Sequence, residues 1–176
     1  SLNGAKYGVM GKEWGSGDYT VKFDFFREWP TPAGAIREID QITQIAQITG
    51  EASANQTESR WGIGSCDLGF FAEMNGNVYQ FFGDTFSGNH QAGAWSHNSM
   101  GKIQDPGNFA NGLRYSAMRK ELVSPRNDDF SMIPTNAVGI NGKLYLYFME
   151  IRAWGAPGHW DCNGGAWATS TDEGQS

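Results

Sequence analysis

Asn75-Gly76 sits between two runs of apolar and aromatic residues, 68–73 before it and 77–82 after it. An Asn-Gly pair suits a type I′ turn because both central residues take positive φ, so the stretch predicts a tight two-stranded hairpin. A second hairpin follows. Asn141-Gly142 lies 66 residues further on, and equal offsets carry Tyr145 for Tyr79, Phe148 for Phe82 and Glu150 for Asp84. Ala94-Trp95-Ser96 is echoed by Ala166-Trp167-Ala168 as a third strand. Short strands repeated around hairpins every few tens of residues point to blades of a β-propeller or turns of another radial β-fold. The competing reading is that Asn-Gly hairpins recur in any all-β protein.

The first hairpin also carries the candidate chemistry. Asp67 precedes Asn75 by eight residues and Asp84 follows it by nine, so both acids leave its open end. Neighbouring strands lie about 4.7–4.9 Å apart, which allows two carboxylates roughly 5–10 Å from one another, the separation used in glycoside hydrolysis. One acid then protonates the leaving oxygen while the other attacks the sugar or activates water. Two acids so close do not both ionise cheaply, so one is expected to keep its proton near neutral pH. Asp67 is assigned as base or nucleophile and Asp84 as general acid. Against this, Asp beside Gly, as in Asp67-Leu68-Gly69 and Gly83-Asp84-Thr85, commonly caps backbone N–H groups in turns. Glu150 is either a third carboxylate at the same mouth or a strand-end charge.

The chain of 176 residues is 39% hydrophobic and 18% charged, which is enough apolar material for one globular core. With 24 glycines and 14% aromatic residues it suits many tight turns and few helices. The formal net charge of −6, without a Lys/Arg cluster, argues against nucleic acid as a partner. No apolar run approaches the ~20 residues of a membrane span, and no charged-then-apolar signal segment opens the chain. His90, His97 and His159 lack the paired spacing of a zinc site, so no cofactor is expected, although the oxygen donors are compatible with calcium. Cys66 and Cys162 each lie beside an aspartate and form either one disulfide or two buried thiols. Asn55-Gln56-Thr57 is an N-glycosylation sequon.

Alternation over 20–26 predicts a half-buried strand, followed by a proline-broken connector at 29–34. Isoleucines every three residues from Ile36 to Ile48 predict a strand at 44–49, with a short helix through 36–45 as the rival. Further strands are expected at 68–73, 77–82, 94–100, 137–140, 143–151 and 166–170, with long loops over 86–94 and 103–134. Residues 1–43 then form an N-terminal strand and connector, and residues 44–176 the first blades. Ser170-Thr171-Asp172-Glu173-Gly174 matches the start of an Asp-box, a turn in which Ser and Asp side chains bond the backbone. About two blades and one strand cannot close a ring. The chain is therefore expected to be a fragment, completed by missing sequence or by another chain.

Trp61, Trp154 and Trp160 occur near glycines in loops, where an indole can stack on a sugar ring or pack into a core. Arg60, His97, Asn98, Asn136 and Asn163 are suited to sugar hydroxyls or, equally, to buried backbone groups.

Taken in order, several segments resemble one family: Gln44-Ile-Ala-Gln-Ile-Thr-Gly50, Arg60-Trp61-Gly62-Ile-Gly64, Asp67-Leu68-Gly69, Phe82-Gly83-Asp84-Thr85-Phe86, His97-Asn98, Ile133-Pro134-Thr135-Asn136 and Trp154-Gly155-Ala-Pro157-Gly158-His-Trp160. The family is the propeller group called domain of unknown function 4185, which includes endo-D-arabinanases, and the likeness covers residues 44–176. It implies a five-bladed propeller with a site at the mouth of its channel, a secreted glycan-active enzyme, and Asp67 and Asp84 as the catalytic pair. Cys66 and Cys162 depart from the family pattern. The expected function is a glycoside hydrolase acting on an arabinan-like extracellular polysaccharide. A non-catalytic carbohydrate-binding propeller and a structural or adhesive surface domain are the alternatives.

Overall fold

The computed structural model describes residues 44–108 and 110–175. The chain separates into units Ser1–Ile45 and Ala46–Ser176, and every element named below lies in the second. The strand and connector expected within residues 1–43 fall outside the described residues, as does most of the rival helix over 36–45.

The described residues are all-β, in three antiparallel sheets. The first large sheet has the order β2 (Phe70–Met74), β3 (Asn77–Phe82), β6 (Ser99–Ile103), β7 (Tyr115–Lys120). The second is the meander β8 (Ser131–Ile140), β9 (Lys143–Trp154), β10 (Trp160–Ser170). A small third sheet joins β1 (Ser65–Cys66), β4 (Thr85–Phe86) and β5 (Trp95–Ser96). A short α-helix, α1 (Thr57–Trp61), stops at Gly62, whose φ of 66° the missing Cβ permits.

Both expected hairpins form. Asn75 and Gly76 have φ of 53° and 76°, Asn141 and Gly142 have 51° and 74°, and each pair joins adjacent antiparallel strands. The two turns are neighbours in space, because a Cβ on Gly142 would stand 3.2 Å from the Asn75 side-chain oxygen.

The two large sheets share a core of Ala72, Met74, Tyr79, Phe81 and Met100 from the first and Met132, Leu144, Leu146 and Phe148 from the second. Tyr79 and Phe81 lie four and six residues past Asn75, whereas Leu144, Leu146 and Phe148 lie three, five and seven past Asn141. Because strand side chains alternate between faces, these are opposite faces of the two hairpins. Val78 and Phe82, at offsets three and seven in the first hairpin, point to a separate cluster with Ile63, Ile103, Tyr115 and Met118. The sheets are thus stacked as successive layers in the same orientation, front of one against back of the next. The face of the second sheet that matches Tyr79 and Phe81 carries Tyr145 and Tyr147. It is open to solvent, with Val138, Ile140, Tyr147 and Trp167 all exposed and Trp167 retaining 65% of its surface.

Ser170 and Asp172 form the expected Asp-box turn. Ser170 Oγ accepts from the Asp172 and Gly174 amides at 3.2 and 2.8 Å, and Asp172 Oδ1 accepts from Gln175 at 3.0 Å.

Several expectations are corrected. Residues 44–49 form no strand. Trp95 does not match Trp167, because β5 pairs with β4 in the small sheet while the third strand beside β3 is β6. The expected loop over 103–134 contains β7 and the start of β8, whose length of ten residues exceeds the expected 137–140. Glu150 and Asp84 part company as well, because β9 continues straight through Glu150 to Trp154 whereas β3 ends at Phe82. No closed ring of sheets exists among the described residues.

Candidate functional site

Phe70 opposes Phe81 and, in the same register on the far side of an interruption, Cys66 opposes Thr85. The pairs β2–β3 and β1–β4 are therefore two halves of one hairpin, bent where residues 67–69 face 82–84. The bend has a local cause. Leu68 and Gly69 both take positive φ, 59° and 136°, and a left-handed leucine costs about 1–2 kcal/mol. Such strain persists only where surrounding structure enforces it, and it clusters at functional sites.

The bend sets the two acids side by side. The Asp67 N–H donates to the Asp84 carbonyl at 3.1 Å, and the Gly83 N–H, in place of that of Asp84, donates to the Asp67 carbonyl at 3.0 Å. That exchange is a bulge-type distortion of the ladder. The Asp67 carboxylate folds over Gly83, with its Oδ1 2.5 Å from the place a Cβ there would occupy. A Cβ at position 83 would push that carboxylate out of its place. Both aspartates are half-buried.

Trp95 holds the second acid, its indole N–H donating to Asp84 Oδ1 at 2.9 Å. The indole packs against Phe86 (ring centroids 6.5 Å), His97 (4.3 Å) and Phe130 (5.4 Å). His97 is fixed in turn, since its Nδ1 lies 3.1 Å from the buried Ser131 hydroxyl and its backbone N–H donates to Glu121 Oε2 at 3.0 Å. Its Nε2 is 3.9 Å from Glu121 Oε1. Leu68 and Phe130, each 51% exposed, supply apolar surface next to this network.

Of the residues singled out from the sequence, Asp67, Asp84 and His97 share this neighbourhood, and the rest are placed elsewhere. Asn98 is fully buried: its amide donates to the carbonyls of Val123 and Met132 and accepts from the Val123 N–H, so nothing remains to offer a sugar. It braces the turn that carries Glu121. Arg60 lies on α1, its guanidinium 3.9 Å over the Trp61 ring and one N–H on the Asn55 carbonyl, while Trp61 packs against the core under the first sheet. Asn136 is exposed and accepts from the Ala137 amide. Trp154 and Trp160 pair edge to face at the exposed end of the β9–β10 hairpin, where the Trp160 N–H meets the Met149 sulfur. Asn163 donates to Asp129, and Glu150 sits in β9 between Met132 and Gly164.

The sequon and the two cysteines have definite surroundings. Asn55 is buried, donates to the carbonyls of Ile48 and Leu113 and accepts from the Tyr115 amide, so its nitrogen is inaccessible to a glycan. Cys66 in β1 and Cys162 in β10 are not joined by a disulfide; Cys162 is exposed rather than buried. Among the described residues no three His, Cys, Asp or Glu side chains group as metal ligands do, and no helix is long and apolar enough to cross a membrane.

Residues 52–176 match the family described as domain of unknown function (DUF4185), which takes in the acid pair, the Trp95 network and both large sheets. The chain belongs to the DUF4185 family. No curated protein matches it. Within this DUF4185 domain the sequence pattern pointed to the acids through their offsets from Asn75-Gly76, and to His97 through the His97-Asn98 segment that resembles the family. Trp95, Glu121, Phe130 and Ser131 carried no such signal. Only the pairing of β4 with β5 and the turn after β7 bring them to the site.

Proposed function

We propose that this DUF4185 domain is a glycoside hydrolase acting on an extracellular, arabinan-like polysaccharide. The observation that carries the reading is the strained bend that places Asp67 and Asp84 next to each other across one hairpin, with exposed Leu68 and Phe130 beside them. Water replaces the leaving sugar at the anomeric carbon, and the leaving oxygen takes a proton from one carboxyl group. The indole bond to Asp84 favours its anionic form, so Asp84 is the base or nucleophile and Asp67 the proton donor, the reverse of the order expected from sequence. No cofactor takes part. Secretion follows from a polymeric substrate outside the cell.

The fold that suits this site is a five-bladed propeller with the acids at the channel mouth, completed by further sequence or another chain. Support comes from the stacking: the first sheet's Tyr79 face is covered by the second sheet, and the matching Tyr147–Trp167 face is apolar and open. Hydroxyl-radical labelling of the native protein should find Tyr147 and Trp167 protected; heavy labelling of both rings counts against the propeller.

The exposed Trp154–Trp160 pair favours a second reading, carbohydrate binding without catalysis. Turnover of arabinan and a glycan panel by the wild type, Asp67→Asn and Asp84→Asn separates the two. Hydrolysis should fall at least about 100-fold in each variant. Turnover that neither substitution affects sinks the assignment, and retention on arabinan without any hydrolysis favours the binding reading.

A further inference from the structure

We propose that Trp95 is a positioning residue for Asp84: its indole N–H fixes one carboxylate oxygen at 2.9 Å and favours the anionic form of the group. The inference rests on the hydrolase reading for its kinetic consequence alone.

The indole is itself constrained. Phe86 and Phe130 pack on it with ring centroids 6.5 and 5.4 Å away, and His97 meets it at 4.3 Å. Behind the imidazole stand Ser131 of β8 and Glu121 of the turn after β7, so residues from three separate stretches of chain determine where one N–H points. A lone hydrogen bond from a mobile side chain gives up part of its strength to the entropy of holding it still. Here packing has already met that cost, and the donor is oriented before any substrate arrives. Trp95 is a donor only, so the bond is made best to the ionised carboxylate. Losing it is expected to raise the acidity midpoint of Asp84, because a hydrogen bond to the charged form favours that form.

Among the described residues the titratable groups near Asp84 include Asp67 across the bend and His97 and Glu121 behind the indole, so the test must read Asp84 itself. Side-chain carboxyl carbons are followed by NMR through a pH titration of ¹³C-aspartate protein, with the Asp84 signal assigned by its loss in Asp84→Asn. In Trp95→Phe the Asp84 midpoint should rise by roughly one pH unit. The acid limb of kcat/KM for arabinan should shift upward with it, while KM changes less than about twofold. Should phenylalanine disturb the packing, 3-benzothienylalanine at position 95 keeps the bicyclic shape and removes only the N–H. An Asp84 midpoint unmoved in the folded variants overturns the proposal. A wild type that hydrolyses nothing overturns the hydrolase reading instead, and the titration still decides the role of Trp95.

Discussion

Gly139 on β8 runs directly against the Glu73 carbonyl of β2, so close that no Cβ fits between them. At this contact the two large sheets meet backbone to backbone, β8 against β2. Gly139→Ala forces the strands apart or strains both, and overpacking of this kind costs about 1–3 kcal/mol. Thermal unfolding of the variant should fall by roughly 3–10 °C; an unchanged midpoint would mean that the sheets are not in this contact.

Asn55 and Asn98 act alike, each gripping two carbonyls and one amide from distant stretches of chain. Replacing either by alanine strands these backbone groups in the interior, at a cost of about 2–4 kcal/mol measured by urea unfolding. Protein secreted from eukaryotic cells should carry no glycan at Asn55, and mass spectrometry of the sequon peptide checks this.

Lys102 donates to Glu173 of the Asp-box turn at 2.8 Å. That bond, outweighing partial burial, holds the Glu173 carboxyl below its usual range, while burial and the nearby Glu173 push the Tyr79 phenol up. A depressed carboxyl stabilises the fold above its unfolded value, and the contribution vanishes as pH falls through the folded value. Glu173→Gln should therefore cost about 0.5 kcal/mol at neutral pH and nothing near pH 2, with the difference shrinking in high salt. Chemical unfolding at the two pH values measures it. An equal cost at both would remove the ion pair as the cause.

Cys162 is exposed and Cys66 half-buried in β1. Under native conditions iodoacetamide should modify Cys162 well before Cys66, as peptide mapping over time will show. A cross-linked peptide carrying both cysteines in the unreduced protein would contradict this placement.

Much of the local structure was legible in the residues. Asn75-Gly76 and Asn141-Gly142 specify their turns because few other pairs accept positive φ twice, and the aromatic flanks could only be strands. Ser170 and Asp172 announced the Asp-box for a similar reason, since their side chains bond backbone within a few residues. The bend at Leu68 was not legible, because nothing in a leucine asks for a left-handed backbone. Asn98 looked like a ligand residue because a polar side chain reads the same whether it will face a sugar or a buried carbonyl. β7 was missed where Tyr115 and Met118 are the strand's buried residues, too sparse a pattern to signal a strand.

The amino-acid sequence alone determined the all-β class, the paired hairpins and the placement of Asp67 and Asp84 at one hairpin end, all of which depend on neighbours within about ten residues. Tertiary structure alone decided that Trp95 bonds Asp84, that Glu121 and Ser131 stand behind His97, and that the second sheet leaves Tyr147 and Trp167 uncovered. Those relations join segments far apart in the chain. They are set by which faces pack together, and local patterning of side chains does not encode that choice.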